Sequence, residues 1–203
     1  MKIICIGRNY AEHAKELNNP LPAKPVFFMK PDSALLLNNN PFFLPGFSNE
    51  IHYEAEIVLK ISRLGKNIAE KFAHRYYNTI GVGIDFTARD LQDVCKKAGH
   101  PWEIAKAFDQ SAVINHFVGI ETVPDRNAIN FSLDINGKTV QQGNTREMIF
   151  SFDHIIEYVS TFITLKTGDL IYTGTPAGVG PVKKDDHLVA TLEGQVMLDF
   201  NVR

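Results

Sequence analysis

Short apolar runs of two kinds alternate along the chain, and their periods predict its elements. Alternating or β-branched runs predict strands at 1–7, 25–31, 52–61, 79–84, 129–135, a partner beginning after Lys138, 169–172, 187–192 and 195–202. Asn136-Gly137 is a two-residue hairpin signal. Runs with helical spacing predict helices at about 10–17, 68–74, 87–97 and 151–162. Asn9 followed by Glu12 reads as a capping box for the first, and Thr87 as the N-cap of the third with Asp90 as its N3 acid. Ile155, Ile156, Val159 and Phe162 form the expected buried stripe of the last. Phe27, Phe28 and Met29, in a strand pinned between prolines, read as core. No repeat or linker divides the pattern, so 1–203 reads as a single mixed α+β domain on a curled or layered sheet.

Several polar residues interrupt this pattern where burial is expected. Alternation from His52 puts His52, Glu54 and Glu56 on one strand face, with the two carboxylates roughly 7 Å apart. The 79–84 strand ends in Asp85, a third carboxylate. Three carboxylates from two strands make a hard-oxygen site suited to Mg²⁺ or Mn²⁺, although a Glu-x-Glu pair is also common on the solvated face of an edge strand. On the first helix, His13 and Glu16 lie three apart: either a surface pair, or a dyad in which the carboxylate orients an imidazole base. That helix lies between Gly7 and the turn-rich 18–22, so residues about 8–22 are a candidate lid. Arg89 and Gln92 share a helix face, suited to a carboxylate or keto oxygen or simply to solvent. Lys106 sits in apolar company and needs a buried carboxylate or an anionic substrate.

Composition narrows the function. The 203 residues are 44% hydrophobic with a formal charge of −2, which gives no electrostatic footprint for nucleic acid or an anionic membrane. The apolar runs are strand-sized, too short for a membrane helix, and the start is too short for a signal peptide. Cys5 and Cys95 form no CxxC motif, so a cytoplasmic location is expected. The Gly-rich 173–181 segment lacks the Lys of a P-loop, and Gly81-Val82-Gly83 lacks the third glycine of a dinucleotide fingerprint. No serine-hydrolase elbow or zincin motif is present.

Gly7-Arg8-Asn9-Tyr10, His52-x-Glu54-x-Glu56, Asp85-x-Thr87-Ala88-Arg89-Asp90-x-Gln92, Lys106-x-Phe108-Asp109 and Thr173-Gly174-Thr175-Pro176-x-Gly178-Val179-Gly180 fall in order across the chain. Together they resemble the fumarylacetoacetate hydrolase family, in its acylpyruvate hydrolase-like branch, which also holds oxaloacetate decarboxylases and tautomerases. The resemblance implies a mixed-sheet β-roll with a few short helices, usually a homodimer. It implies one Mg²⁺ or Mn²⁺ per chain on Glu54, Glu56 and Asp85, substrate contacts from Lys106, Gln92, Arg89 and Thr175, and a water-activating His13–Glu16 dyad on a lid. Ala112-Val113-Ile114-Asn115 departs from the Pro and Gly found there in many relatives, which bears on substrate choice.

The expected reaction is cleavage of a C–C bond in an acylpyruvate, a 2,4-diketo acid, through a metal-stabilised pyruvate enolate. Oxaloacetate decarboxylation and keto–enol tautomerisation are alternatives that use the same enolate, and only hydrolysis needs a directed water. A non-catalytic ion- or keto-acid-binding module is the alternative of another class. Lys106, Arg89 and the His13–Glu16 pair exceed what such a module requires.

Overall fold

The computed structural model describes residues 1–17 and 20–203. Asn18 and Asn19, within the expected lid, lie outside the described residues. The first half contains β1 (Ile3–Gly7), α1 (Ala11–Glu16), β2 (Val26–Lys30), β3 (Leu35–Leu36), β4 (Ile51–Tyr53), β5 (Ala55–Ile61), α2 (Glu70–Ala73), β6 (Tyr77–Asp85), β7 (Thr87–Ala88) and α3 (Arg89–Ala98). The second contains α4 (Glu103–Lys106), β8 (Ala112–Val113), β9 (Val118–Gly119), β10 (Asn130–Ile135), β11 (Lys138–Asn144), α5 (Phe152–Phe162), β12 (Leu170–Tyr172), β13 (Gly180–Pro181), β14 (His187–Leu192) and β15 (Gln195–Asn201).

The β-branched runs of β5 and β6 pair antiparallel at the centre of an eight-stranded mixed sheet, ordered β2-β1-β12-β5-β6-β8-β3 with β9 also on β6. Strands β1 and β12, and β3 and β8, run parallel. A four-stranded sheet, β11-β10-β14-β15, and a three-stranded one, β13-β4-β7, complete the curled architecture expected from the sequence. Alternation in β5 sends Ile57, Leu59 and Ile61 into the main core, with Leu133 and Leu198 of the second sheet and Ile155, Ile156 and Val159 of α5. Val58 points to a second cluster with Ile3, Cys5 and Tyr172. Each such side chain contributes about 1.5–3 kcal/mol on burial. Register in β5–β6 is therefore strongly specified, and with it the positions of Glu54, Glu56 and Asp85. Gly83 faces Glu56 across the pair; a Cβ there would lie 2.6 Å from the Tyr172 ring and 2.7 Å from the Val113 carbonyl.

The structure corrects several local expectations. The 52–61 strand is broken at Glu54, because β4 pairs with β7 and β13 while β5 joins the large sheet. Asn9 does not cap α1. Its amide donates to the Phe150 and Thr173 carbonyls and accepts from the Phe150 N–H, which leaves Tyr10 at the cap position. Thr87 lies in β7 and Ala88 is the N-cap of α3; Asp90 instead accepts from Ser48 Oγ and the Asn49 N–H. Met29 is 44% exposed and Phe162 58% exposed, whereas Lys30, next to Met29, is buried. Pairing of β2 with β1 explains the inversion, since alternation turns Lys30 inward opposite Ile3.

Candidate active site

The Glu54 carbonyl accepts the Asp85 N–H at 2.9 Å, which locks the ends of β5 and β6 together. Carboxylate oxygens of Glu54, Glu56 and Asp85 then lie within 4.8 Å of one another, and all three residues are buried. They line a cavity of about 40 Å³ with Gly7, Arg8, His13, Leu17, Phe28, Arg89, Gln92, Lys96, Trp102, Lys106 and Thr175 among its walls. Every residue expected at the site lines this cavity except Glu16, which reaches it through His13. His52, placed on the same face by alternation, is not among the lining residues.

The three carboxylates are not equally matched by cations. Glu54 takes Arg89 on Oε1 at 2.5 Å and Lys106 on Oε2 at 2.8 Å. Asp85 takes Lys106 on Oδ2 at 2.9 Å, while its Oδ1 lies 2.7 Å from Lys30 Nζ, off the hydrogen-bond direction. Among the described residues, Glu56 has only the Gly174 N–H, at 2.6 Å. Gly174 supplies it at φ +103°, where a Cβ would strike that of Asn9 at 2.6 Å. Burial raises the Glu54 carboxyl, but Lys106 and Arg89 override it and hold the group well below the usual carboxylate range. Burial, Asp85 and Glu54 push Glu56 well above that range. Burial opposes the Lys106 charge, yet Asp85 and Glu54 raise its pKa, so it stays an ammonium.

This donor set fits a hard divalent cation. All three groups are carboxylate oxygens, and the buried Glu56 is short of a positive partner. No imidazole or thiolate belongs to the cluster.

His13 Nδ1 lies 3.1 Å from Glu16 Oε2, and Glu16 Oε1 accepts the Gly178 N–H at 3.0 Å. The pair is therefore anchored to the Gly-rich loop, and His13 is buried, not a surface residue. Arg89 Nη1 donates to Gln92 Oε1 at 2.6 Å. The Thr175 hydroxyl is already engaged, donating to the Ala55 carbonyl and accepting from Gln141 Nε2. Gln141 also accepts the Ala55 N–H and donates to the Pro176 carbonyl, fixing the Gly-rich loop against β5.

Sequence reasoning missed Lys30 and Gln141. Lys30 Nζ is enclosed by Asp85, the Phe86 and Ser111 carbonyls and Ser111 Oγ. Its signal was the one that singled out Lys106: a lysine in apolar company, here Phe-Phe-Met-Lys-Pro. Gln141 carries no such signal. In the metal-free protein, Lys30→Met leaves Asp85 Oδ1 buried without its cation. Urea denaturation should show a loss of about 3–5 kcal/mol, against under about 0.5 kcal/mol for Lys60→Met on the exposed face. Equal stabilities would refute the pairing.

A curled mixed sheet whose central strand ends hold a buried, cation-balanced carboxylate triad defines the class of protein. The chain belongs to the fumarylacetoacetate hydrolase family: it matches the Fumarylacetoacetate (FAA) hydrolase C-terminal domain over residues 2–203. It is 42% identical over 201 residues to the mouse protein named oxaloacetate tautomerase FAHD1, mitochondrial, covering 99% of this chain and 91% of that one. Identity is also 42% over 183 residues to a Dictyostelium discoideum mitochondrial oxaloacetate decarboxylase, covering 90% and 84%. The fold superimposes with a TM-score of 0.94 on Pseudomonas aeruginosa fumarylpyruvate hydrolase solved with Mn²⁺ and pyruvate, at 34% identity, covering 100% of this chain and 89% of that one. The chain is thus an enzyme of this family, and no helix among the described residues is long and apolar enough to cross a membrane.

Proposed function

We propose that this enzyme catalyses keto–enol tautomerisation of oxaloacetate, using one Mg²⁺ or Mn²⁺ held by Glu54, Glu56 and Asp85. The observation that carries the reading is Glu56, a buried carboxylate beside two others that has no cation of its own among the described residues. A bound divalent ion would supply Lewis-acid polarisation of a 2-keto acid chelated through its carboxylate and keto oxygens. Charge favours a dianion: three carboxylates against Lys30, Arg89 and Lys106 are neutral, so an ion brings the site to about +2. The names of the mouse and Dictyostelium relatives agree with this substrate.

The chain's own groups divide the proton work. Lys106, held as an ammonium, donates a hydrogen bond to the oxygen where negative charge develops. Arg89 and Gln92, already joined, orient the substrate carboxylate. Thr175, its hydroxyl shared between Ala55 and Gln141, shapes the wall beside the substrate. His13 takes the proton from C3: Nδ1 is engaged by Glu16, and Nε2 is the ring atom that accepts it. The C3–H electrons form the C2–C3 double bond, and the C2–O π pair moves onto the keto oxygen. That oxygen becomes the enol hydroxyl by taking back the proton from His13 through water, which regenerates the base. A cavity of about 40 Å³ is too small for this substrate, so α1, which contributes His13 to its wall alongside its C-cap Leu17, acts as a lid that opens for entry.

C–C hydrolysis of an acylpyruvate is the second reading. It is favoured by the anchored His13–Glu16 pair, which suits activation of a water, and by the likeness to fumarylpyruvate hydrolase. A homodimer belongs to the proposal, supported by an apolar surface hollow at Phe47, Leu91, Ile104 and Phe108. So does cytoplasmic residence, supported by two free, buried cysteines.

An ultraviolet assay with Mg²⁺ tests the reading. Metal-dependent loss of the oxaloacetate enol absorbance, without matching pyruvate release, is the expected result. Matching pyruvate would make the enzyme a decarboxylase; faster loss of acetylpyruvate than of oxaloacetate would make it a hydrolase.

A further inference from the structure

Two cations on the cavity wall take no part in the triad. Arg8 follows β1, and Lys96 lies one helical turn beyond Gln92 on α3, so Arg89, Gln92 and Lys96 form a continuous cavity-facing row. Among the described residues, neither Arg8 nor Lys96 has a carboxylate within 4.0 Å, in contrast to Lys30, Arg89 and Lys106. Asp93, three residues before Lys96, forms no ion pair with it.

Both cations are held where they are costly. Arg8 adopts φ +60°, a left-handed conformation that costs a non-glycine residue about 1–2 kcal/mol. Lys96 is half-buried, with its ammonium 5.9 Å from the centre of the Trp102 ring. Burial, together with the positive charges of Arg89 and Arg8, lowers its pKa. A strained arginine and a partly desolvated lysine, close enough to repel and facing one small cavity, lack an anion.

We propose that Arg8 and Lys96 bind the distal carboxylate of a short 2-keto dicarboxylate, so that the enzyme selects dianionic over monoanionic 2-keto acids. The proposal rests on the 2-keto-acid reading of the same cavity and adds the residues that read the far end of the substrate. In this arrangement the carboxylate triad and Lys106 serve the keto end, and Arg8 with Lys96 serve the carboxylate two carbons away. Trp102 forms a wall between the lysine and Phe28, whose ring centre lies 5.9 Å from that of the indole.

The single tryptophan makes the test direct. Stopped-flow Trp102 fluorescence of the Mg²⁺-loaded protein is titrated with oxaloacetate and with 2-ketobutyrate, which has a methyl in place of the distal carboxylate. Wild type should bind oxaloacetate about tenfold or more tighter, the order expected for charge-assisted hydrogen bonds. Arg8→Gln and Lys96→Met should each collapse that ratio towards one by weakening oxaloacetate binding, and Lys96→Arg should restore it. Binding of 2-ketobutyrate is the internal control for an intact site. Equal weakening of both ligands, or a wild-type ratio near one, overturns the proposal. Selective binding without turnover would uphold the subsite while refuting the tautomerase reaction; failure of wild type to bind either acid would refute both.

Discussion

Glu54→Gln removes metal-dependent turnover, with kcat falling by at least about 10³-fold, the several kcal/mol a Lewis acid supplies. The site's arrangement makes this substitution unusually severe. Glu54 divides its two oxygens between Arg89 and Lys106. Glutamine offers one oxygen and one NH₂, so one of the two buried cations meets a donor. Alanine would strip Arg89 of its carboxylate and leave Lys106 with Asp85 alone, at about 3–5 kcal/mol, and risks unfolding; glutamine keeps the volume. A thermal melt separates loss of the site from loss of the fold. At Mg²⁺ a hundredfold above its Kd, wild type gains about 2.7 kcal/mol, or roughly 5–10 °C for a chain of this length. Glu54→Gln should keep a cooperative melt and lose that shift. The wild-type shift should also grow with pH. Glu56, its pKa raised by burial and by its two carboxylate neighbours, carries a proton at low pH that the ion must displace. A Glu54→Gln enzyme that keeps both the shift and its turnover would refute the assignment of the triad.

The reasons why some of this was legible in the sequence, and some not, are physical. Residues 55–61 and 77–85 pair over a long antiparallel ladder whose alternation decides which side chains are buried, so the triad's carboxylates follow from periodicity once the strands are placed. The break at Glu54 does not, because it depends on β7, which pairs Thr87 with His52 and Ala88 with Ile51, and on β13 from the far Gly-rich segment, contacts that leave no local trace. Caps fail for the same reason. Asn9 and Thr87 have the right chemistry to cap, but tertiary demands claim them first: Asn9 bridges 150 and 173, and Thr87 sits in a ladder opposite His52. Lys106 was identifiable because an ammonium in apolar surroundings requires an anion. Lys30 meets that criterion equally, yet Met29 beside it made an apolar reading of the strand more economical, and only pairing with β1 shows which of the two turns inward.

His13→Ala separates the reactions that need a base from the one that does not. Among the titratable groups lining the cavity, Glu54 and Asp85 are neutralised by cations, Glu56 would be engaged by the ion, Lys106 remains an ammonium, and Arg8, Arg89 and Lys96 are the cations assigned to substrate carboxylates. His13 is left to accept a proton, with Glu16 fixing the ring and the Gly178 N–H fixing Glu16. Removing the imidazole should therefore lower oxaloacetate tautomerisation by about 10²–10⁴-fold, the usual contribution of a positioned general base. Hydrolysis of acetylpyruvate, which needs a deprotonated water, should fall by a similar factor. Decarboxylation breaks C3–C4 and leaves its electron pair on the substrate without proton abstraction, so pyruvate formation from oxaloacetate should persist or rise. Glu16→Gln, which keeps a hydrogen-bond acceptor but loses the charge, should lower tautomerisation by a smaller factor. The measurement is enol absorbance and coupled pyruvate detection on the same samples, with a Mg²⁺ melt to show that the triad still loads. Unchanged tautomerisation in His13→Ala, with metal bound, would remove His13 from the chemistry and leave α1 as a lid alone.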